Sequence, residues 1–569
     1  MDTYNSQLSG AELARASTQF RESRAASHSL APVGWGDGGG GTTREMTGRA
    51  ARLRDLEGSA TVTWEHPNDF FAKARAELPH PPVWVGELYL ELHRATLTSQ
   101  HQTKQGNRRS EHLLIEAELW AATAAVRAGT PYPYDEIDRL WREVLLHQFH
   151  DILPGTSIAW VHREAVTAYA KIREAAENLI AAAQAALVGS GSLELTLNPA
   201  PFARDGVPAL SAGVASPSSS PVRIDGNVLS NGIVSVTISD QGLITSAIDL
   251  ATGRDAIASG QEANLLQLHQ DFPNRWDAWD VDRFYRNRVI DLRAVDSLTF
   301  LQDDRGAHAT IVRSFSRSRI TQTLTLAPGS RVLRIDQQTD WQETERFLKV
   351  AFPLDVRAEH SAAETQFGYQ KRVTHTNTSW EAAKFEVSMH RFVFVEEPGF
   401  GVALVTDSTY GYDLTRDATE DGGITTTVRL SLLRAPRFPD PETDQGHQTC
   451  SYGLVIGADV ASATEAGIAM NLPPRVVTGG HGFDPLVSVS GDGILISSVK
   501  LADDRGGDLI VRVYESLGRR NAGTLHLHTD IRSAHTASLL ERPTGPAMPA
   551  GPLPLQLTPF EVRTIRLSR

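Results

Sequence analysis

The densest grouping of chemically capable side chains is HQFHDILPGT, His147 to Thr156, which holds two histidines, an aspartate and a Pro-Gly pair. Imidazole nitrogens and carboxylate oxygens bind metals and accept hydrogen bonds. His150 beside Asp151 therefore suits a metal ligand next to an acid that grips a polar substrate. Such groups need a rigid element behind them. Ile137, Leu140, Trp141, Val144, Leu145 and Phe149 recur at the spacing of one helical stripe, which predicts a packed helix leading into the motif. On that wheel His147 falls at the edge of the stripe and His150 off it, about 60° apart at about 100° per residue. Pro154 and Gly155 are expected to end the helix just beyond. The plainer reading is a surface His-Asp pair at a helix C-terminus, where the dipole favours a histidine.

The longer segment LWREVLLHQFHDILPGTSI, residues 140–158, resembles the metal-site segment of glycoside hydrolase family 38, the α-mannosidases. In that family the His directly before the Asp binds zinc, and the Asp binds sugar hydroxyls. The resemblance thus implies His150 as a metal ligand and Asp151 as a substrate-binding acid, with no such role for His147. Segments resembling the same family recur in the same order along nearly the whole chain.

Composition fits a soluble globular protein of several domains: 569 residues, 41% hydrophobic and 22% charged. Lys and Arg number 55 against 68 Asp and Glu, a net charge of −13, which argues against nucleic-acid and anionic-membrane partners. A neutral sugar asks for no basic surface. Cys450 is the only cysteine, so no intrachain disulfide can form. The N-terminus shows no secretory signal pattern, and no apolar run reaches the length of a membrane span. A cytoplasmic location is expected, and these features leave room for a homo-oligomer.

Residues 1–88 are expected to be the C-terminal remnant of an α/β catalytic domain. The run LAPVGWGDGGGGTTREM, residues 30–46, reads as a short apolar segment, a Gly-rich loop and a helix start, with Thr42 or Thr43 as cap and Glu45 in the first turn. It lacks the pattern of a dinucleotide or P-loop site. Gly38 to Gly41 would let backbone approach a ligand, with Asp37 at the mouth; a flexible turn is the plain alternative. GDGGGGTTREM resembles a catalytic-domain loop of bacterial family members, which would make Asp37 the general acid. VTWEHPNDFFAKARAELPHPPVWV, residues 62–85, predicts a short strand, a helix and another extended piece.

The segment GELYLELHRATLTSQHQ resembles the family's entry into its helical domain, but it carries Ala95 and Leu97 where the family pattern has Gly and Tyr. Glu87, Glu91, His93 and Arg94 lie there in strand-like alternation, which fits one polar face as well as a site. Residues 89–190 are expected to form a three-helix bundle, its helical pattern visible from Glu111, with Gly129 as a stop and Thr156 or Ser157 capping the third helix. Residues 191–569 are expected to be a large antiparallel β-sandwich region in two packed lobes. GIVSVTISDQGLITSAIDLATG is a typical hairpin in it.

Within that region DFPNRWDAWDVDRFY, residues 271–285, has the chemistry of sugar recognition. Trp276 and Trp279 can stack on sugar C–H groups while Asp280 accepts hydroxyl hydrogens. Packing of these aromatics beneath the sandwich is the structural alternative. FGYQKRVTHTNTSWEAAKFE, DSTYGYD and LLRAPRFPDP also occur in family 38 and read as fold markers.

The resemblance implies an α-mannosidase-like hydrolase, multidomain α+β, that cleaves terminal α-mannosides by a zinc-assisted retaining mechanism. Retention needs two carboxyl groups about 5 Å apart. Yet no His-x-Asp pair precedes residue 86, and no segment matches the family's Asp-x-Phe-Gly-type nucleophile. The expectation is therefore a chain that lacks the N-terminal part of the catalytic domain, holds one zinc ligand and no nucleophile, and is inactive alone. A non-catalytic, carbohydrate-binding or structural fragment is the rival reading. A hydrolase built on His147 and His150 alone fails for want of further ligands in spacing.

Overall fold

A computed structural model describes residues 3–36, 40–216, 220–420 and 422–569. The chain divides into two units, Met1–Leu88 and Tyr89–Arg569. Together they make a multidomain α+β protein with eight α-helices and many antiparallel sheets among the described residues.

The first unit holds three short helices, α1 (Gly10–Gln19), α2 (Arg44–Arg52) and α3 (Pro67–Glu77). Each start follows local chemistry. Ser9 and Glu12 form a reciprocal capping box on α1. Thr43 accepts from the Met46 amide to cap α2, as its position before an acidic first turn predicts. Pro67 opens α3 with a missing N–H that the first turn does not need. Leu8, Leu13 and Ala50 form a small core with Val33, Leu53 and Val62 against it. The expected strands reduce to one parallel bridge, Ser6 to Val33. Among the described residues the flanks of α3 find no partner strand, so they stay extended but unpaired, and Val83 and Val85 are 83% and 88% exposed. A ladder needs two rows of backbone groups, and sequence alternation supplies only one.

The second unit begins with α4 (His101–Arg127), α5 (Tyr134–His147) and α6 (Ala159–Val188). They pack through Leu114, Leu140, Val144, Ala165, Tyr169 and Ile172. Gly106 lets α4 and α6 approach, since a Cβ there would lie 2.6 Å from the Tyr169 ring. Three expectations need correction. α4 starts ten residues before Glu111, because its first turns bury polar groups such as Asn107, Arg108 and His112, which leave no apolar stripe to read. α5 ends at His147, ahead of the Pro-Gly pair, and Leu145 and Phe149 are exposed rather than part of its buried stripe. Ile158, not Thr156 or Ser157, occupies the cap position of α6, because the Thr156 hydroxyl is bonded to Asp151 instead.

The β region follows. A nine-stranded antiparallel sheet, with edges Ser297–Asp303 and Gly368–Val373, shares a core with a six-stranded sheet that ends at Val387–Ser388 and Val289–Asp291. Trp341, Phe352, Tyr412 and Tyr452 are buried there. A second core joins the C-terminal strands to the helices: Val511, Leu525 and Ile565 pack with Trp120 of α4 and Leu187 of α6. Two helices interrupt the strands, α7 (Ser379–Ala383) and α8 (Val460–Asn471). α8 carries a capping box, Asp459 with Ser462, within a region whose sequence predicts strands. No helix among the described residues is long and apolar enough to cross a membrane.

Candidate functional site

The turns after α5 carry the first part of the site. Ile152 and Leu153 donate to the Phe149 carbonyl, Gly155 donates to Ile152, and Thr156 to Asp151. His150 thus sits on a turn rather than on the helix. Its side chain is 77% exposed, with Nε2 3.3 Å from Asp151 Oδ2 and the ring 4.2 Å from that of Phe149. Asp151 Oδ1 accepts the Thr156 hydroxyl at 2.8 Å. His147 faces the other way, its ring 5.3 Å from Tyr169 and its Nδ1 buried. Gly155 has φ 84°, and a Cβ there would fall 2.2 Å from the Ser99 carbonyl oxygen, so only glycine fits this contact.

The second part is the Trp276–Asp280 loop. Trp276 has φ 62°, a strained conformation for a bulky side chain, and is half exposed. Its carbonyl accepts from the amides of Trp279 and Asp280. The two indoles meet edge to face at 5.7 Å, and Trp279 lies 6.3 Å from Phe438. Asp280 is held by Arg94, whose Nη1 lies 3.1 Å from Oδ1. The Arg94 guanidinium covers the Phe385 ring at 4.3 Å and donates through Nε to the Ala383 carbonyl.

The segment His93 to Ser99 lies between these parts. The Ala95 amide donates to the Trp279 carbonyl at 3.0 Å. Burial holds the His93 imidazole below its ordinary range, while the charges of Asp280 and Asp151 both push it up. Two acids separated by more than a hundred residues in sequence therefore act on one imidazole. Asp37 lies outside the described residues. Sequence reading did not single out Ser99, Lys104, Asp271, Phe438 and Arg434, all of which stand behind or beside these loops.

Among the described residues no group of three or more His, Cys, Asp and Glu side chains is placed to hold a metal. Zinc sites use three or four protein ligands, and His150 supplies one. The described residues therefore do not make the zinc site that the resemblance implies.

Comparison with known proteins decides the family. The glycosyl hydrolases family 38 N-terminal domain matches residues 1–87, the alpha mannosidase middle domain 91–187, the family 38 C-terminal domain 229–442 and the family 38 C-terminal beta sandwich domain 493–565. This chain belongs to glycoside hydrolase family 38. A relative in Homo sapiens, alpha-mannosidase 2C1, is 34% identical over all of this chain and 58% of its own length. The alpha-mannosidase of Saccharomyces cerevisiae is 28% identical over all of this chain and 57% of its own length. The chain thus spans little more than half the length of these family 38 relatives. Among solved structures, an alpha-mannosidase from Enterococcus faecalis V583 shares the fold with a TM-score of 0.76 at 16% identity, over 93% of this chain and 75% of that one.

Proposed function

We propose that this chain is an α-mannosidase-like hydrolase of family 38, of which it carries the part that binds the hydroxyls of a terminal α-mannoside. The observation that carries this reading is the meeting of the Asp151 turn and the Trp276–Asp280 loop at Ser99, which packs against Gly155 and donates to the Ala278 carbonyl, beside the Trp276–Trp279 pair. Carboxylates for hydroxyls and an aromatic face for sugar C–H groups are the two halves of a pyranose site. In this reading Asp151 accepts mannose hydroxyls, and the exposed His150 and the two indoles line the sugar. Asp280, neutralised by Arg94, orients the loop and offers only its remaining lone pairs. Asp37 is the general acid, and no residue is assigned as nucleophile. No step is assigned to a metal. The buried, lone Cys450 supports a cytoplasmic setting.

The domain reading that accompanies this places the end of a catalytic domain in residues 1–88, a three-helix middle domain in 89–190 and a β-sandwich region in 191–569. A second reading, a fragment that binds carbohydrate without cleaving it, draws support from the engagement of both site carboxylates with protein partners.

Calorimetric titration of the full chain with methyl α-mannoside tests the proposal, with methyl β-galactoside as comparator. Saturable binding of the mannoside is expected, weakened about tenfold in Asp151→Ala through loss of a charge-assisted hydrogen bond. Equal binding of both sugars, or binding indifferent to Asp151, would sink it.

A further inference from the structure

Two fully buried cations stand directly behind the two loops of the site. Lys104, on the first turn of α4, is 2% exposed. Its ammonium donates to the carbonyls of Ser99 at 2.5 Å, Leu153 at 2.9 Å and Pro154 at 3.1 Å. That uses all three of its donors, with no carboxylate among them. The bonds to Leu153 and Pro154 have a local reason. Pro154 has no N–H and Gly155 turns away from helix, so these carbonyls have no continuing helix to satisfy them.

Arg434, at the end of the strand Ile424–Arg434, is 0% exposed. It forms an ion pair with the buried Asp271, and Nη2 donates to the Asp280 carbonyl at 2.9 Å. Nη1 donates to the Asp277 carbonyl and, at 3.3 Å, to the Ser99 hydroxyl. That hydroxyl in turn reaches the Ala278 carbonyl at 3.1 Å. Arg434 therefore grips the backbone of the Trp276–Asp280 loop rather than any side chain that could face a sugar.

Ser99 is where the two grips meet. Its carbonyl takes Lys104 and touches Gly155; its hydroxyl takes Arg434 and reaches Ala278. It is completely buried. We propose that Lys104, Ser99 and Arg434 form one buried staple that holds the His150–Asp151 turn in register with the Trp276–Asp280 loop. All three are positioning residues: none presents a group to solvent, and each acts through backbone carbonyls. The coupling is a statement about geometry, whereas its use in sugar binding rests on the function proposed above. A pyranose contacted from both sides needs its contacts held to within a fraction of an ångström, which loops tied separately would not ensure.

Hydrogen exchange followed by mass spectrometry on the full chain tests the coupling without any sugar. The peptides of interest cover residues 148–157 and 274–284, with 509–527 as a remote control. Lys104→Met touches only the first segment, yet the staple requires exchange to speed up in both, about fivefold or more for the loss of buried hydrogen bonds, while the control stays unchanged. Ser99→Ala is the milder second variant and carries the test if Lys104→Met does not fold. It removes the hydroxyl that faces 274–284, and acceleration of 148–157 as well is expected. Acceleration confined to the segment each variant touches would overturn the staple. Calorimetry of the same variants with methyl α-mannoside then separates the two claims. Coupled exchange with unchanged mannoside binding keeps the staple and refutes its use in sugar binding. Absence of mannoside binding in the unsubstituted chain refutes the function alone.

Discussion

Arg94 reaches Asp280 through a single nitrogen, Nη1 lying 3.1 Å from Oδ1 and 3.3 Å from Oδ2. The two side chains are only 10% and 17% exposed. Removing the cation would leave a carboxylate partly out of water without its counter-charge. Arg94→Met is expected to cost about 2–3 kcal/mol, and Asp280→Asn less, because a neutral amide tolerates the site better. A double-mutant cycle read by urea denaturation checks this, with a coupling energy of at least about 1 kcal/mol expected. Additive single and double variants would show that the pair does not hold the loop.

Deeper in the six-stranded sheet, Lys349 Nζ lies 2.5 Å from both Glu386 Oε2 and Asp413 Oδ2, and all three side chains are 0% exposed. The Glu386 carbonyl also accepts the Tyr89 hydroxyl at 2.8 Å, which ties the start of the second unit to this cluster. The two carboxylates hold the Lys349 ammonium well above its ordinary range. Lys349→Met would leave the buried Glu386 without its paired cation, whereas Asp413 keeps Arg286 and Arg429, and it is expected to destabilise by about 3–5 kcal/mol. Chemical denaturation of the variant measures it. A loss below about 1 kcal/mol, the scale of a surface pair, would mean that the cluster is not desolvated as described.

Much of this organisation was readable from sequence, and the failures have physical causes. The hairpin in GIVSVTISDQGLITSAIDLATG is present, with Val234–Ile238 paired antiparallel to Ile244–Asp249, because alternation and a Gly turn act locally. The pairing partners of Gly368–Val373 or Val289–Asp291 were not legible, since non-local ladders leave no mark on one strand. At the site, His150, Asp151 and the Trp276–Asp280 loop were visible by residue type. Their supports were not. Lys104 and Arg434 look like surface residues in a sequence, and only the packed chain shows Lys104 spent on backbone carbonyls and Arg434 on carbonyls and the buried Asp271. Arg94 was seen, but its alternation with His93 could not reveal that it faces Asp280.

Stability should depend on pH through Glu118 of α4. Burial pushes its carboxyl up from 4.5 to about 7, while Trp141 Nε1 donates to it at 3.2 Å. Between these two values the folded chain keeps a proton that the unfolded chain releases, so the unfolded state binds fewer protons and stability falls as pH rises. The buried Asp444, also pushed up to about 7, acts in the same direction. Glu118→Gln keeps an acceptor for Trp141 and removes the charge. It is expected to be more stable than the parent by about 2–3 kcal/mol at pH 8 and by little at pH 4.5. Urea melts at the two pH values check the sign, and an equal effect at both would show that Glu118 does not titrate in this window.

Finally, the purified chain is expected to show no turnover of an aryl α-mannoside, with or without added zinc. Retaining glycoside hydrolysis needs a free pair of carboxyl groups about 5 Å apart, one to attack and one to protonate. The described acids assigned to sugar binding are Asp151 and Asp280. Asp280 has both oxygens on Arg94, and Asp151 divides its oxygens between Thr156 and His150. Neither is left as a nucleophile at an anomeric carbon. Removing the attacking group from a catalytic unit costs several orders of magnitude in rate, whatever binding remains. Steady-state release of the aryl group by the chain, measured beside His150→Ala and Asp151→Asn, decides the matter. Turnover that both substitutions abolish would place a working nucleophile within these 569 residues.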